Sequence, residues 1–113
     1  MATFFGFAFS ASMLPGGTVN LRKEDMTVEQ VRDLLPTCEM CLNPSHAATI
    51  EAARSRFDLE FTIPERPARI ALGSDDSVVV MQVSGLPRLT DRHEYTEEEV
   101  ASATFNFVRL SVL

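Results

Sequence analysis

The chain has no tryptophan, one tyrosine, two cysteines and two histidines among its 113 residues. Two cysteines cannot supply the disulfide framework of a small secreted domain. A protein-bound zinc ion takes about four ligands, so Cys38 and Cys41 would need both His46 and His93 to complete a site. Nor does Pro36-Thr37-Cys38-Glu39-Met40-Cys41 have the strand-to-helix context of a thioredoxin-like motif. The pair reads as reduced thiols packed in or near the core. No run approaches the roughly 18 consecutive apolar residues of a membrane span. Basic residues are scarce, 10 Lys and Arg against 16 Asp and Glu, and the net charge is −6. That balance argues against a general DNA- or RNA-coating protein, which would show a basic face. A small anionic ligand in one local pocket stays compatible with it, because a few arginines and a helix N-terminus create positive potential locally. Also missing are a Gly-x-Gly-x-x-Gly or P-loop phosphate cradle, a His-Glu-x-x-His metal site and a Gly-x-Ser-x-Gly elbow.

What is there suits a single domain. Hydrophobic residues make up 45% and charged residues 23%, ordinary values for a globular protein with one core. The opening Met-Ala-Thr-Phe-Phe-Gly-Phe-Ala-Phe has no basic leader and meets polar residues early, so it reads as a first strand and not a signal peptide. A cytoplasmic protein without a membrane partner is the expectation.

Periodicity then divides the chain. Thr3 to Phe9 predicts a buried strand with Phe5, Phe7 and Phe9 on one face. Ser10 to Gly17 is a loop, in which the hydroxyls of Ser10 and Ser12 either hydrogen-bond locally or face a ligand. Thr18 to Arg22 alternates as a second strand. Thr27, with Gln30 three residues on, fits a capping box for a helix that buries Val28, Val31, Leu34 and Leu35 and stops at Pro36. Ala68 to Leu72 predicts a strand joined by Gly73-Ser74-Asp75-Asp76 to Ser77–Ser84, the most apolar strand, in a hairpin. The near-continuous run Val78-Val79-Val80-Met81 marks a central strand covered on both faces. Gly85 to Glu94 is a polar loop. Thr96 caps a last helix with Glu97, Glu98 and Glu99 in its first turn, the sign a helix start favours. Phe105 to Leu113 closes as a strand. The expected fold is therefore α/β of the α+β kind, a single-domain mixed sheet of about five strands with helices packed on it.

The stretch Asn43 to Phe57 carries the sharpest chemistry. Asn43 or Ser45 can cap a helix whose apolar face is Ala47, Ile50, Ala53 and Phe57, and His46 sits at its start. A helix N-terminus attracts anions, so a histidine there is either an ordinary surface residue or a proton carrier beside a phosphate site. In mixed sheets, sites gather at the carboxyl ends of strands. The loop after the first strand, the His46 helix start and the Arg88 loop are the polar places of that kind.

Phe9-Ser10-x-x-Met13-Leu14-Pro15, Ser45-His46-x-x-Thr49, Val79-Val80-Met81-Gln82-Val83 and Arg88-Leu89-x-Asp91 occur in this order, followed by Thr96-Glu97-Glu98-Glu99 and the terminal strand. Over essentially its whole length the chain thus resembles the small viral anti-CRISPR ring nucleases, a family built around an archaeal-virus protein. The resemblance implies a homodimer that binds cyclic tetra-adenylate, the second messenger of type III CRISPR systems, and cleaves it without metal or cofactor. It places the catalytic roles on His46, Arg88 and Asp91. Ser10, Ser12, Ser45 and Gln82 are implied to bind the ligand. The chain departs from the family pattern in having Phe7 for an asparagine, Ser12 for an asparagine, Ser45 for a glycine and Asp91 for a glutamate. A non-catalytic protein that sequesters a cyclic nucleotide is the alternative expectation.

Overall fold

The run Val78–Met81 forms the middle of the molecule, and the other elements are arranged on it. In a computed structural model, which describes residues 2–7, 9–42, 47–61, 69–86 and 95–113, the chain begins with β1 (Thr3–Gly6), β2 (Leu21–Met26), α1 (Val28–Leu34) and β3 (Glu39–Met40). It continues with α2 (Ala47–Phe57), β4 (Ser77–Ser84), α3 (Glu97–Ser102) and β5 (Thr104–Val112). The strands make one five-stranded mixed sheet in the order β2-β5-β4-β1-β3. β1 lies parallel to β4 and β3, while β5 runs antiparallel to β4 and β2. The α+β class and the mixed sheet expected from the sequence are both present.

The pleat of β4 feeds two cores. Val79 and Met81 meet Phe5, Phe107 and the buried Val31, Ile50, Ala53 and Leu59 on the helix side. Val78 and Val80 point the other way, against Phe4, Leu72 and Val112. Successive side chains of a strand alternate between faces, so a strand that is apolar at every position must be covered twice. Helices α1 and α2 cover one face. No α-helix covers the second among the described residues; Phe9, Leu14, Val19 and Ile70 pack over it from outside any α-helix or strand. The Leu72 N–H donates to the Met13 carbonyl at 2.7 Å and holds two of these segments together. Each fully buried aliphatic or aromatic side chain contributes about 1.5–3 kcal/mol, which makes the double coverage of β4 the main stabilising feature.

The expected capping box at Thr27 forms, and the expected Thr96 cap closes as a second box. Thr27 Oγ1 accepts from the Gln30 N–H at 3.2 Å and Gln30 Oε1 accepts from the Thr27 N–H at 2.8 Å. Thr96 and Glu99 repeat the exchange at 3.2 and 2.9 Å. Pro36 ends α1 as expected, the chain tightening into a 3₁₀ turn at Leu35–Thr37. At the far end of α2, the Arg32 Nη2 donates to the Phe57 carbonyl at 2.6 Å. This places a cation on the negative pole of α2 and fastens α1 to it.

Several boundaries differ from the expectation. β1 ends at Gly6, so Phe7 and Phe9 do not share a face: Phe7 packs on the helix side and Phe9 on the other. The second strand lies at Leu21–Met26, later than the alternation of Thr18–Arg22 suggested. Its register is fixed by pairing with Phe107–Val112 of β5, of which Phe107, Val108 and Val112 are buried, and as an edge strand it tolerates Lys23, Glu24 and Asp25. Residues 69–72 form no strand, and the predicted hairpin is absent. Both edges of β4 are already taken, by β1 and β5. The fifth strand is instead Glu39–Met40, added in parallel beside Phe4 and Phe5. On α2 the buried residues are Ile50, Ala52 and Ala53, with Phe57 half-buried, and Ala47 is exposed. The helix has neighbours on two sides, the sheet and α3, which turns Ala52 inward.

Candidate functional site

β1, β3 and β4 run in the same direction, so the chain leaves all three at one end of the sheet. The connections that start there carry Ser10 and Ser12 after β1, Ser45 and His46 after β3, and Arg88 and Asp91 after β4. β4 also outruns its neighbour. Val80 pairs with Gly6 at the end of β1, and Met81–Ser84 continue beyond it, paired to β5. A cleft of about 360 Å³ opens over this overhang, lined by Phe7, Thr49, Met81, Gln82 and Val83. Gln82 and Thr49 come from two separate sequence motifs, and the fold brings them to one cleft. Gln82 is exposed and also borders a second hollow, of about 560 Å³, beside Lys23, Asp25 and Asn106.

The first turn of α2 is flanked on its other side by a groove of about 370 Å³, whose walls include Ala48, Ser55 and Arg56 of α2 and Tyr95, Glu97 and Val100 of the α3 region. Glu51 lies on its rim, where the Arg54 guanidinium grips it through both carboxylate oxygens. That bond holds the Glu51 carboxyl below its ordinary range. Gly85 turns the chain away from β4 in the left-handed region, at φ +87°, where a glycine is the favoured residue.

The sequence-predicted residues fall in three groups. Gln82 lines the cleft at the sheet end. Ser10 and Ser12 are exposed on a 3₁₀ turn, Ala11–Met13, that folds against the second face of the sheet. Their hydroxyls lie 3.0 Å apart, and Ser10 Oγ accepts from the Ser12 N–H at 3.3 Å, so the pair has a local capping role. Ser45, His46, Arg88 and Asp91 lie outside the described residues, as does His93. Phe7, Tyr95 and Arg56 border the clefts without having been singled out as ligand contacts from the sequence. Tyr95 had one signal to offer, being the single tyrosine of the chain and adjoining the Thr96 cap.

The cysteines do not form a paired site. Cys38 packs on the helix-side cluster and Cys41 on the opposite one, because Glu39–Met40 between them is a strand. Burial raises the pKa of both thiols, with Glu39 adding to the effect at Cys41 and Arg109 opposing it at Cys38. Among the described residues no group of His, Cys, Asp and Glu has the arrangement of a metal site. No helix among them is long and apolar enough to cross a membrane.

No protein-family model matches the chain, and no curated protein matches it. Solved structures do. B116 of Sulfolobus turreted icosahedral virus has a similar structure, with a TM-score of 0.69 over 97% of this chain and 98% of that one, at 14% sequence identity. At that identity the likeness is one of fold. The chain therefore shares its architecture, nearly end to end, with a protein of an archaeal virus.

Proposed function

We propose that the protein is a metal-independent ring nuclease that binds and cleaves a cyclic oligoadenylate, most simply cyclic tetra-adenylate, and so suppresses type III CRISPR immunity. The observation that carries the reading is the meeting of motifs. Thr49, from the Ser45-His46-x-x-Thr49 motif, and Gln82, from the central-strand motif, line one cleft at the sheet end where the Arg88–Asp91 connection also begins. The shared fold with an archaeal-virus protein agrees with the resemblance on which the motifs were read.

The chemistry asks little of the protein. RNA carries its own nucleophile, the ribose 2′-OH, so the enzyme has to align that oxygen with the phosphorus and the leaving 5′ oxygen. His46 is the general acid that protonates the leaving group, a role generally worth about 10²–10⁴-fold. The ligand's phosphates favour the imidazolium that this requires, and they outweigh the helix dipole that disfavours it. Arg88 clamps a phosphate through its fork of donors, and Asp91 orients Arg88 or His46. The 2′-OH gives its proton to solvent water as its oxygen bonds to phosphorus, the bond from phosphorus to the 5′ oxygen breaks, and the 5′ oxygen takes the proton of His46, giving a linear product with a 2′,3′-cyclic phosphate. A homodimer with two-fold symmetry presents this set twice to a roughly symmetric ring.

The test is a chromatographic assay of cyclic tri-, tetra- and hexa-adenylate with EDTA present, wild type beside His46→Ala. Linearisation of the tetramer by the wild type alone is expected. Rings left intact in every reaction refute the nuclease. Tight binding without turnover then identifies a protein that sequesters the messenger.

A further inference from the structure

Gln82 borders both the cleft at the sheet end and the hollow of about 560 Å³ beside it. Across the antiparallel pairing of β4 with β5 it lies opposite Asn106, a second carboxamide. Val78 and Val80 of β4 and Leu110 and Val112 of β5 belong to the cluster on the second face of the sheet. Side chains alternate along a strand, so Gln82 and Asn106 stand on that same face. The next pair inward, Val80 with Val108, is buried, whereas both carboxamides are exposed. Directly opposed residues have Cβ atoms about 4.5–5.5 Å apart, so the two amides form one polar surface. Neither side-chain amide has a hydrogen-bond partner among the described residues.

The remaining walls narrow the class of ligand. Among the lining residues the cation is Lys23, and its Nζ lies 3.4 Å from the Asp25 carboxylate, which is also in the wall. The pair is neutral as a whole, so the hollow has little to attract a phosphate. Thr27, Val28 and Val108 add a hydroxyl and apolar surface. Such a lining suits a neutral planar group with hydrogen bonds along its edge, which describes a nucleobase. Adenine presents N7 as an acceptor beside N6–H as a donor, and the C=O and NH₂ of an asparagine match the two in a bidentate way. The bases of a single-stranded ring are unpaired and open to such contacts.

We propose that Asn106 is a specificity-determining residue that reads an adenine of the ring. Its carbonyl oxygen accepts from N6–H and its amide NH₂ donates to N7. The hollow is the base subsite, and Gln82 joins it to the cleft. The identity of the ligand rests on the nuclease reading, whereas the place of the subsite rests on the Gln82–Asn106 pair. The test is cleavage kinetics on the full-length chain with EDTA present, wild type beside Asn106→Ala. The substrates are cyclic tetra-adenylate and the same ring built from 7-deaza-adenine, in which carbon replaces N7.

For wild type, KM for the deaza ring should be higher by about 5- to 150-fold for each base held this way, the range of one good bidentate contact. The kcat should stay within about threefold, because a contact made equally before and in the transition state alters KM alone. Asn106→Ala should raise KM for the adenine ring by a similar factor and no longer distinguish the two rings. Because Asn106 is exposed, its melting temperature should stay within about 2 °C of wild type. A wild type that cleaves both rings with the same KM overturns the base contact, whatever the variant does, and leaves the nuclease reading standing. Discrimination that survives undiminished in Asn106→Ala overturns the role of Asn106. A wild type that leaves both rings intact overturns the nuclease reading and the assignment with it.

Discussion

Replacing Phe5 by alanine tests the architecture most directly. Phe5 has no exposed surface and lies in β1, next to the central strand. Its ring stands 5.4 Å from Phe61 and 6.5 Å from Phe107, both tilted, so it touches the chain after α2 and the β5 strand at once. A phenylalanine buries about 150–250 Å². At about 25 cal/mol per Å² that is roughly 4–6 kcal/mol of transfer free energy, of which alanine retains a small part. Adding the cavity that rigid neighbours leave behind, the expected loss is about 3–5 kcal/mol. A domain of this size has about 5–15 kcal/mol of stability in all, so the variant should fold but melt early. At roughly 4 °C per kcal/mol the melting temperature should drop by about 12–20 °C. Phe5→Leu, which fills most of the space, should lose less than half as much. Far-UV circular dichroism in a urea series is the assay, since the chain has no tryptophan to report unfolding. A Phe5→Ala protein within about 1 kcal/mol of wild type would refute the helix-side core built on this ring.

Three other outcomes follow from particular contacts. Asp76 accepts from the Ala2 N–H at 2.7 Å and the Gly73 N–H at 2.9 Å, bonds that hold its carboxyl below the ordinary aspartate range. A depressed folded pKa means stability that is present above the unfolded value and lost as pH falls through the folded one. The gap in melting temperature between wild type and Asp76→Asn should therefore be full at neutral pH and close below the usual carboxylate range, and a gap constant with pH would refute the assignment. Cys38 and Cys41, raised in pKa and packed on opposite faces, should react slowly with a thiol reagent at neutral pH and faster as pH rises. Mass spectrometry after mild oxidation should find no disulfide between them in the folded chain, and such a disulfide would contradict the strand at Glu39–Met40.

Local signals were legible wherever the physics is local. The Thr27–Gln30 capping box and the Thr96 cap marked two helix starts, because a cap is closed by residues two or three apart in the chain. Val78–Met81 announced a strand covered on both faces, since no half-exposed strand is apolar at every position. Thr49 and Gln82, from two of the motifs, line one cleft at the sheet end, while Ser10 and Ser12 have a capping bond of their own.

Partnership was decided elsewhere. Glu39–Met40 has no strand-like pattern and is a strand through the neighbouring β1 edge that it joins. Residues 69–72 have an apolar pattern and form no strand, because β1 and β5 already occupy the edges of β4. The Cys-x-x-Cys pair reads as reduced thiols in or near the core, and that same short strand decides that Cys38 and Cys41 pack on two different faces. Arg32 and Arg56 each hold the carbonyl end of the next helix, contacts between residues far apart in the chain. By itself the sequence determined where helices begin, which strand is central and which residues carry reactive groups. Tertiary structure decided which strands pair and which groups meet, because edge occupancy and contacts between helices depend on residues far apart in the chain.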